Sequence, residues 1–114
     1  MSFLKIDDLN EIYFEYIKPK KNGYTFVFVN ALTGNVDTWN NEIANIITDN
    51  GNGYLAYNFR GQEKSKFDES LILDTTLIVS DLCVLLDHIQ PENIILVGLS
   101  IGGLYASLAL PKVK

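Results

Sequence analysis

Cysteine and histidine are almost missing from this chain: Cys83 and His88 are single examples among 114 residues. One thiol cannot close a disulfide within the chain, and one thiol with one imidazole falls short of the usual four-ligand zinc set, so no metal site is expected. Positive charge is scarce as well. Nine Lys and Arg against fourteen Asp and Glu leave a formal charge of -5, which repels phosphate backbones and anionic lipid, so neither nucleic acid nor a membrane is an expected partner. No apolar run approaches the roughly 18 residues that a membrane helix needs. The opening MSFLKIDDLNE carries acidic residues where a signal peptide would carry an apolar stretch, so a cytoplasmic location is expected. Repeats, low-complexity tracts and Pro/Gly-rich linkers are also absent. The whole of 1–114 is therefore expected to be one domain, long enough to bury roughly 65% of its unfolded surface.

What is present is an alternation of apolar strands and amphipathic helices. SFLKI and EIYFEYIK are β-rich runs separated by DDLN, whose side chains favour turns, and they read as an antiparallel hairpin near a sheet edge. Ile12, Phe14 and Tyr16 fall on one face of the second run and Glu11 and Glu15 on the other, the pattern of a half-buried strand. PKKNG breaks the pattern, and YTFVFVN follows as an interior strand, too uniformly apolar for a wet face. In WNNEIANIITDNG, Trp39, Ile43 and Ile46 or Ile47 recur at helical spacing, with Gly51 as a C-terminal stop. GYLAYN at 53–58 is another strand, and FRGQEKSKFDES a polar surface loop. A helix should begin near Asp74 or Thr75, bury Ile78, Leu82, Leu85, Leu86 and Ile89, and end at Pro91. Cys83 lies within it and reads as a small buried hydrophobe. A strand over 94–98 and a helix over about 101–110 complete the series. This βαβ rhythm is that of an α/β protein with a mostly parallel sheet covered on both faces.

The turn between the last strand and last helix carries the chemistry. Gly98-Leu99-Ser100-Ile101-Gly102 matches G-x-S-x-G, in which small flanking residues let a serine hydroxyl stand out from a sharp strand-to-helix bend. VGLSIGG also has some likeness to the dinucleotide fingerprint G-x-G-x-x-G. Serine in the middle-glycine place would crowd a pyrophosphate, however, and this strand is the last of the series rather than the first.

Three motifs together resemble the amino-terminal portion of the α/β-hydrolase family: FVFVNALTGNVDTW is similar to its strand and oxyanion loop, YLAYNFRGQEKS to its D-x-R-G-x-G-x-S loop, and GLSIGG to its nucleophile elbow. The resemblance implies an amino-terminal part of that fold, a mostly parallel sheet with an antiparallel N-terminal hairpin and helices on both faces. It implies that Ser100 is the nucleophile and that the main-chain N–H groups of Leu32 and Ile101 form the oxyanion hole. No cofactor is implied. Asn30-Ala31 stands where most members carry His-Gly. An asparagine there, a leucine two positions on and a tryptophan at the spacing of Trp39 are similar to the 3-oxoadipate enol-lactonase branch, which makes Asn30, Ala31 and Trp39 candidate substrate contacts. Asn58 stands where the family prefers aspartate and Gln62-Glu63 where it prefers His-Gly. For Arg60, as for Trp39, an ordinary structural part competes with contact to substrate.

The expected activity is hydrolysis of a small carboxylic ester or lactone through an acyl-serine intermediate. Its base is not in this sequence. His88 should close the second long helix and sit at the amino rim of the sheet; five strand residues at about 3.3 Å each place it roughly 16 Å from Ser100, beyond proton transfer. After Ser100 the chain has no Asp, Glu or His, whereas the family's order is nucleophile, acid, histidine. The domain is thus expected to be incomplete at its C-terminus. The triad acid and histidine would come from a missing half or another chain, paired along the apolar 94–98 edge. Alone, the piece would lose about six orders of magnitude in turnover, by analogy with proteases stripped of triad members. The rival expectation is a non-catalytic hydrolase-fold module that binds a ligand or partner, with a nicotinamide or flavin site third.

Overall fold

A computed structural model describes residues 2–6, 10–30, 39, 42–59, 75–91, 93–99 and 101–112. Its elements follow the order β1 (Ser2–Lys5), β2 (Glu11–Ile17), β3 (Thr25–Val29), α1 (Glu42–Asp49), β4 (Gly53–Tyr57), α2 (Thr75–Ile89), β5 (Ile94–Gly98) and α3 (Ile101–Ala109), with a 3-10 turn at Leu110–Lys112. The five strands form one sheet in the order β1-β2-β4-β3-β5. The hairpin is antiparallel, with Phe3 opposite Tyr13, and β2 is antiparallel to β4, with Phe14 opposite Tyr57. β3 runs parallel to both neighbours and pairs Val27 with Leu55 on one side and with Leu96 on the other. The expected α/β architecture is what the chain adopts.

Strand pleating sends alternate side chains to opposite faces, and each face has its own core. On one, Ile12, Phe14, Val27, Val29, Leu55 and Tyr57 meet the α2 residues Ile78, Leu82 and Leu85 and the α3 residues Tyr105, Ala106 and Ala109. On the other, Tyr13, Phe28, Tyr54 and Ala56 meet Trp39 and Ala44. Leu55, Leu82 and Leu85 are wholly buried, and truncating any of them to alanine should cost about 2–5 kcal/mol.

Two local expectations need correction. β2 is not half-buried, because Tyr13, on the same face as Glu11 and Glu15, is only 1% exposed. Its ring meets Phe3 edge-on at 5.3 Å and its hydroxyl donates to Glu15 Oε2 at 2.7 Å, so an aromatic with a polar tip covers that face. In α1 the inward side chains are Ala44 and the partly buried Ile47, while Ile43 and Ile46 are exposed. The helix starts at Glu42, after Trp39, so Trp39 does not set its phase. The stop at Gly51 is as expected: with φ 81°, it donates to the Thr48 carbonyl while Asn52 donates to Ile47, satisfying two carbonyls that the helix end leaves open.

The α2 stripe is as expected at Ile78, Leu82, Leu85 and Leu86, with Val79 and Asp81 buried as well. Gln90 ends the helix at φ 51° and donates to the Leu86 carbonyl at 2.7 Å. β5 is the last strand of the sheet and pairs only with β3 among the described residues.

Candidate active site

The parallel register fixes which ends come together. Val29 pairs with Gly98, so the chain leaves β3 at Asn30 and β5 at Leu99 on the same, carboxyl, rim. Leu99 N–H donates to the Val29 carbonyl at 3.0 Å, and Gly102 N–H donates to the Leu99 carbonyl at 2.9 Å. The path therefore passes from sheet ladder to helix within three residues. Two glycines make the bend possible. A β-carbon on Gly98 would collide with the main chain of Gly102 and Gly103, and one on Gly102 with the carbonyls of Val29 and Asn30, in each case well under 3.0 Å. The G-x-S-x-G spacing thus has a steric basis: the elbow helix lies directly on the end of β3.

Of the sequence-derived site residues, Asn30, Trp39 and Ile101 are described. Ser100, Leu32, Ala31, Arg60 and the Gln62-Glu63 pair lie outside the described residues, as does Asp74. Ile101 is the first residue of α3, where main-chain N–H groups have no partner within the helix and the helix dipole favours negative charge. Asn30 is wholly buried. Its Nδ2 donates to the Tyr57 carbonyl at 2.6 Å and its Oδ1 accepts from Trp39 Nε1 at 2.6 Å. Trp39 is 6% exposed and stacks on Phe28, with ring centroids 4.4 Å apart and planes 6° from parallel. Asn58, which follows β4 on the same rim, is buried and donates its N–H to the Tyr13 carbonyl at 3.0 Å.

His88 is in the last turn of α2, its ring 6.3 Å from that of Phe14. The chain beyond it reaches Asn93, whose carbonyl accepts the N–H of Thr25, the first residue of β3. This connection is at the amino rim, opposite the elbow. Two cavities among the described residues open there as well. One of about 660 Å³ is lined by Lys18, Lys20, Lys21 and Asn93, and one of about 240 Å³ by Cys83, Asp87, Ile94 and Lys112. Neither is adjacent to the elbow. No cluster of three or more His, Cys, Asp or Glu suited to a metal occurs among the described residues, and no helix among them is long and apolar enough to cross a membrane.

Sequence reasoning missed the parts of Phe28 and Tyr57. Phe28 points to the α1 face and supports the indole of Trp39, whereas Tyr57 offers its carbonyl to Asn30 and buries its phenol on the α2 face. That hydroxyl has no hydrogen-bond partner among the described residues. Burial, with smaller contributions from Asp81, Cys83 and Tyr105, pushes its pKa well above the ordinary tyrosine value.

Comparison with known proteins agrees with this geometry. The model of the alpha/beta hydrolase fold matches residues 24–113, and the chain belongs to that family. A search of curated proteins finds no match. Among solved structures, the chain is similar to one from a study of carboxylesterases of the thaumarchaeon Nitrososphaera gargenis, at 24% identity and a TM-score of 0.85, over 97% of this chain and 40% of that one. It is similar to an esterase from Exiguobacterium antarcticum at 25% identity and a TM-score of 0.82, over 96% and 39%. It is also similar to Est1E from Butyrivibrio proteoclasticus with ferulic acid bound, at 17% identity and a TM-score of 0.77, over 98% and 47%. The chain therefore spans about two-fifths of the length of the first two structures.

Proposed function

We propose that this chain is the nucleophile-bearing part of a serine hydrolase that cleaves small carboxylic esters or lactones. The observation that carries the reading is the bend at 98–102, where glycines seat the start of α3 on the carbonyls of Val29 and Asn30. That seat brings Gly102, two residues after the serine, against the end of β3 at Val29 and Asn30. Esterases among the structural relatives support an ester as substrate.

In this reading Ser100 Oγ attacks the acyl carbonyl as its proton passes to a histidine. The N–H groups of Leu32 and Ile101 hold the oxyanion, and the alkoxide leaves with the proton returned by the histidine. Water then repeats the sequence on the acyl-serine and releases the acid. With a lactone the leaving alcohol stays on the acyl chain, and the product is a hydroxy or oxo acid. Ala31 borders the acyl group. The histidine and its acid are supplied from outside these 114 residues, by further strands or a second chain pairing along the free edge of β5. The protein works in the cytoplasm.

The test is turnover of p-nitrophenyl butyrate by the full protein and by its Ser100→Ala variant. Serine-dependent hydrolysis that falls by about 10⁴-fold or more in the variant is expected. A variant as active as the parent would overturn the reading, and a full protein inert towards both esters and lactones would favour the binding module.

A further inference from the structure

The oxyanion donors proposed above belong to the main chain, so no side chain at Leu32 or Ile101 can tune them. Their spacing must be set by whatever holds the two backbone segments together. Asn30 and Trp39 flank residues 31–38, and a side-chain bond joins them: Trp39 Nε1 donates to Asn30 Oδ1 at 2.6 Å. Each partner is anchored separately. The Asn30 amide donates to the Tyr57 carbonyl at the end of β4, and the Asn30 main-chain carbonyl lies against Gly102 in the elbow helix. Trp39 stacks on Phe28 of β3, and its own carbonyl accepts the Ala44 N–H at 3.0 Å, which ties it to α1.

We infer that Asn30 and Trp39 form a clasp that positions the main-chain oxyanion donors, acting as positioning residues rather than as contacts to substrate. The inference rests on the hydrolase reading for its catalytic consequence. The chemistry suits the residue types. An asparagine amide offers a donor and an acceptor at once, so it can hold β4 and the indole together. The indole N–H is a single directional donor on a large ring with few rotatable bonds. At 0% and 6% exposure, the two side chains present almost nothing to a ligand, and the bonds they make are all internal. Because Asn30 touches both Tyr57 and Gly102, a shift of its main chain moves the start of 31–38 and the support of Ile101 together.

The test uses Trp39→Phe, which keeps an aromatic ring over Phe28 while removing the N–H donor and part of the indole's bulk, and Asn30→Ala, separately and combined. In the full protein with p-nitrophenyl butyrate, Trp39→Phe is expected to lower kcat about 10- to 100-fold, the effect of misplacing a reacting group by up to an ångström. KM should stay within about twofold, a split that general loss of folded protein would not produce. The double variant should lose about as much as Asn30→Ala alone, since the bond can be broken only once. Amide NMR of the same protein separates the two ways of failing. Trp39→Phe should shift the Leu32 and Ile101 amide signals more than those of β1. Unmoved signals, or an unchanged kcat in folded Trp39→Phe, would overturn the clasp. If Ser100→Ala left hydrolysis intact, the hydrolase reading would fall, and the amide shifts alone would decide the clasp.

Discussion

Adding one methyl group at two adjacent positions of α3 should produce opposite results. A β-carbon at Gly102 would lie 2.6 Å from the Asn30 carbonyl oxygen and 2.9 Å from the Val29 carbonyl carbon, with the Val29 oxygen closer still. Ordinary C···O contacts begin at about 3.3 Å. The helix must therefore retreat by about 1 Å from two main-chain carbonyls that have no soft side chain to yield. Overpacking of this kind costs about 1–3 kcal/mol, offset by at most about 1 kcal/mol of helix propensity gained by alanine. At Gly103 the nearest obstacle to a β-carbon is the Gly98 oxygen at 4.0 Å, so Gly103→Ala keeps the propensity gain without the clash. The two variants should differ by roughly 2 kcal/mol, or about 1 M in urea midpoint at a slope of 1–3 kcal/mol per M. Equilibrium urea unfolding followed by far-UV circular dichroism measures this directly. Gly102→Ala should unfold earlier than the parent and Gly103→Ala at the same point or later. Equal midpoints for the two variants would refute the close seating of α3 on β3.

Other perturbations test neighbouring parts of the account. Tyr57→Phe removes a buried hydroxyl that has no partner among the described residues, so stability at pH 7 should be unchanged or raised by up to about 1 kcal/mol in urea unfolding. The folded-state pKa of Tyr57 is raised, so above about pH 10 the unfolded chain releases a proton that the folded chain keeps. The parent should then lose up to about 1.4 kcal/mol per pH unit from this group, and Tyr57→Phe should lose less; identical alkaline slopes would contradict the assignment. Burial, with Asp87 adding to it and Lys112 opposing, raises the Cys83 thiol. Its reaction with a disulfide reagent at pH 8 should therefore be slower than that of a free cysteine, and a faster one would be wrong for this site. Asn30→Ala leaves the Trp39 N–H and the Tyr57 carbonyl unpaired in a buried place, a loss of about 2–4 kcal/mol that a wild-type melting temperature would rule out.

Much of the architecture is legible in the sequence because it depends on local periodicity. Five apolar runs and three helical stripes, stopped by Gly51 and Pro91, fall where the strands and helices lie. The phase of α1 is not legible. Ile43 and Ile46 are more apolar than Ala44, yet Ala44 and Ile47 are the side chains turned inward. Strand order is also hidden, since insertion of β4 between β2 and β3 is a long-range pairing that no local pattern encodes. At the site, G-x-S-x-G marks the bend, and its glycines are explained by contacts between α3 and β3. The bond from Trp39 to Asn30 spans nine positions and depends on both lying at one sheet rim, which only the folded chain reveals. The buried Tyr13 was masked by its two glutamate neighbours, whose outward face it shares and in part covers.

The proposed role of Ser100 as an activated nucleophile is open to a direct chemical test. Treating the full protein with a fluorophosphonate and mapping the modified peptide tests it most directly. One stoichiometric adduct is expected, on the peptide that contains Gly98-Leu99-Ser100-Ile101-Gly102, with its loss in Ser100→Ala. An adduct on another serine, or none on folded protein, would contradict it.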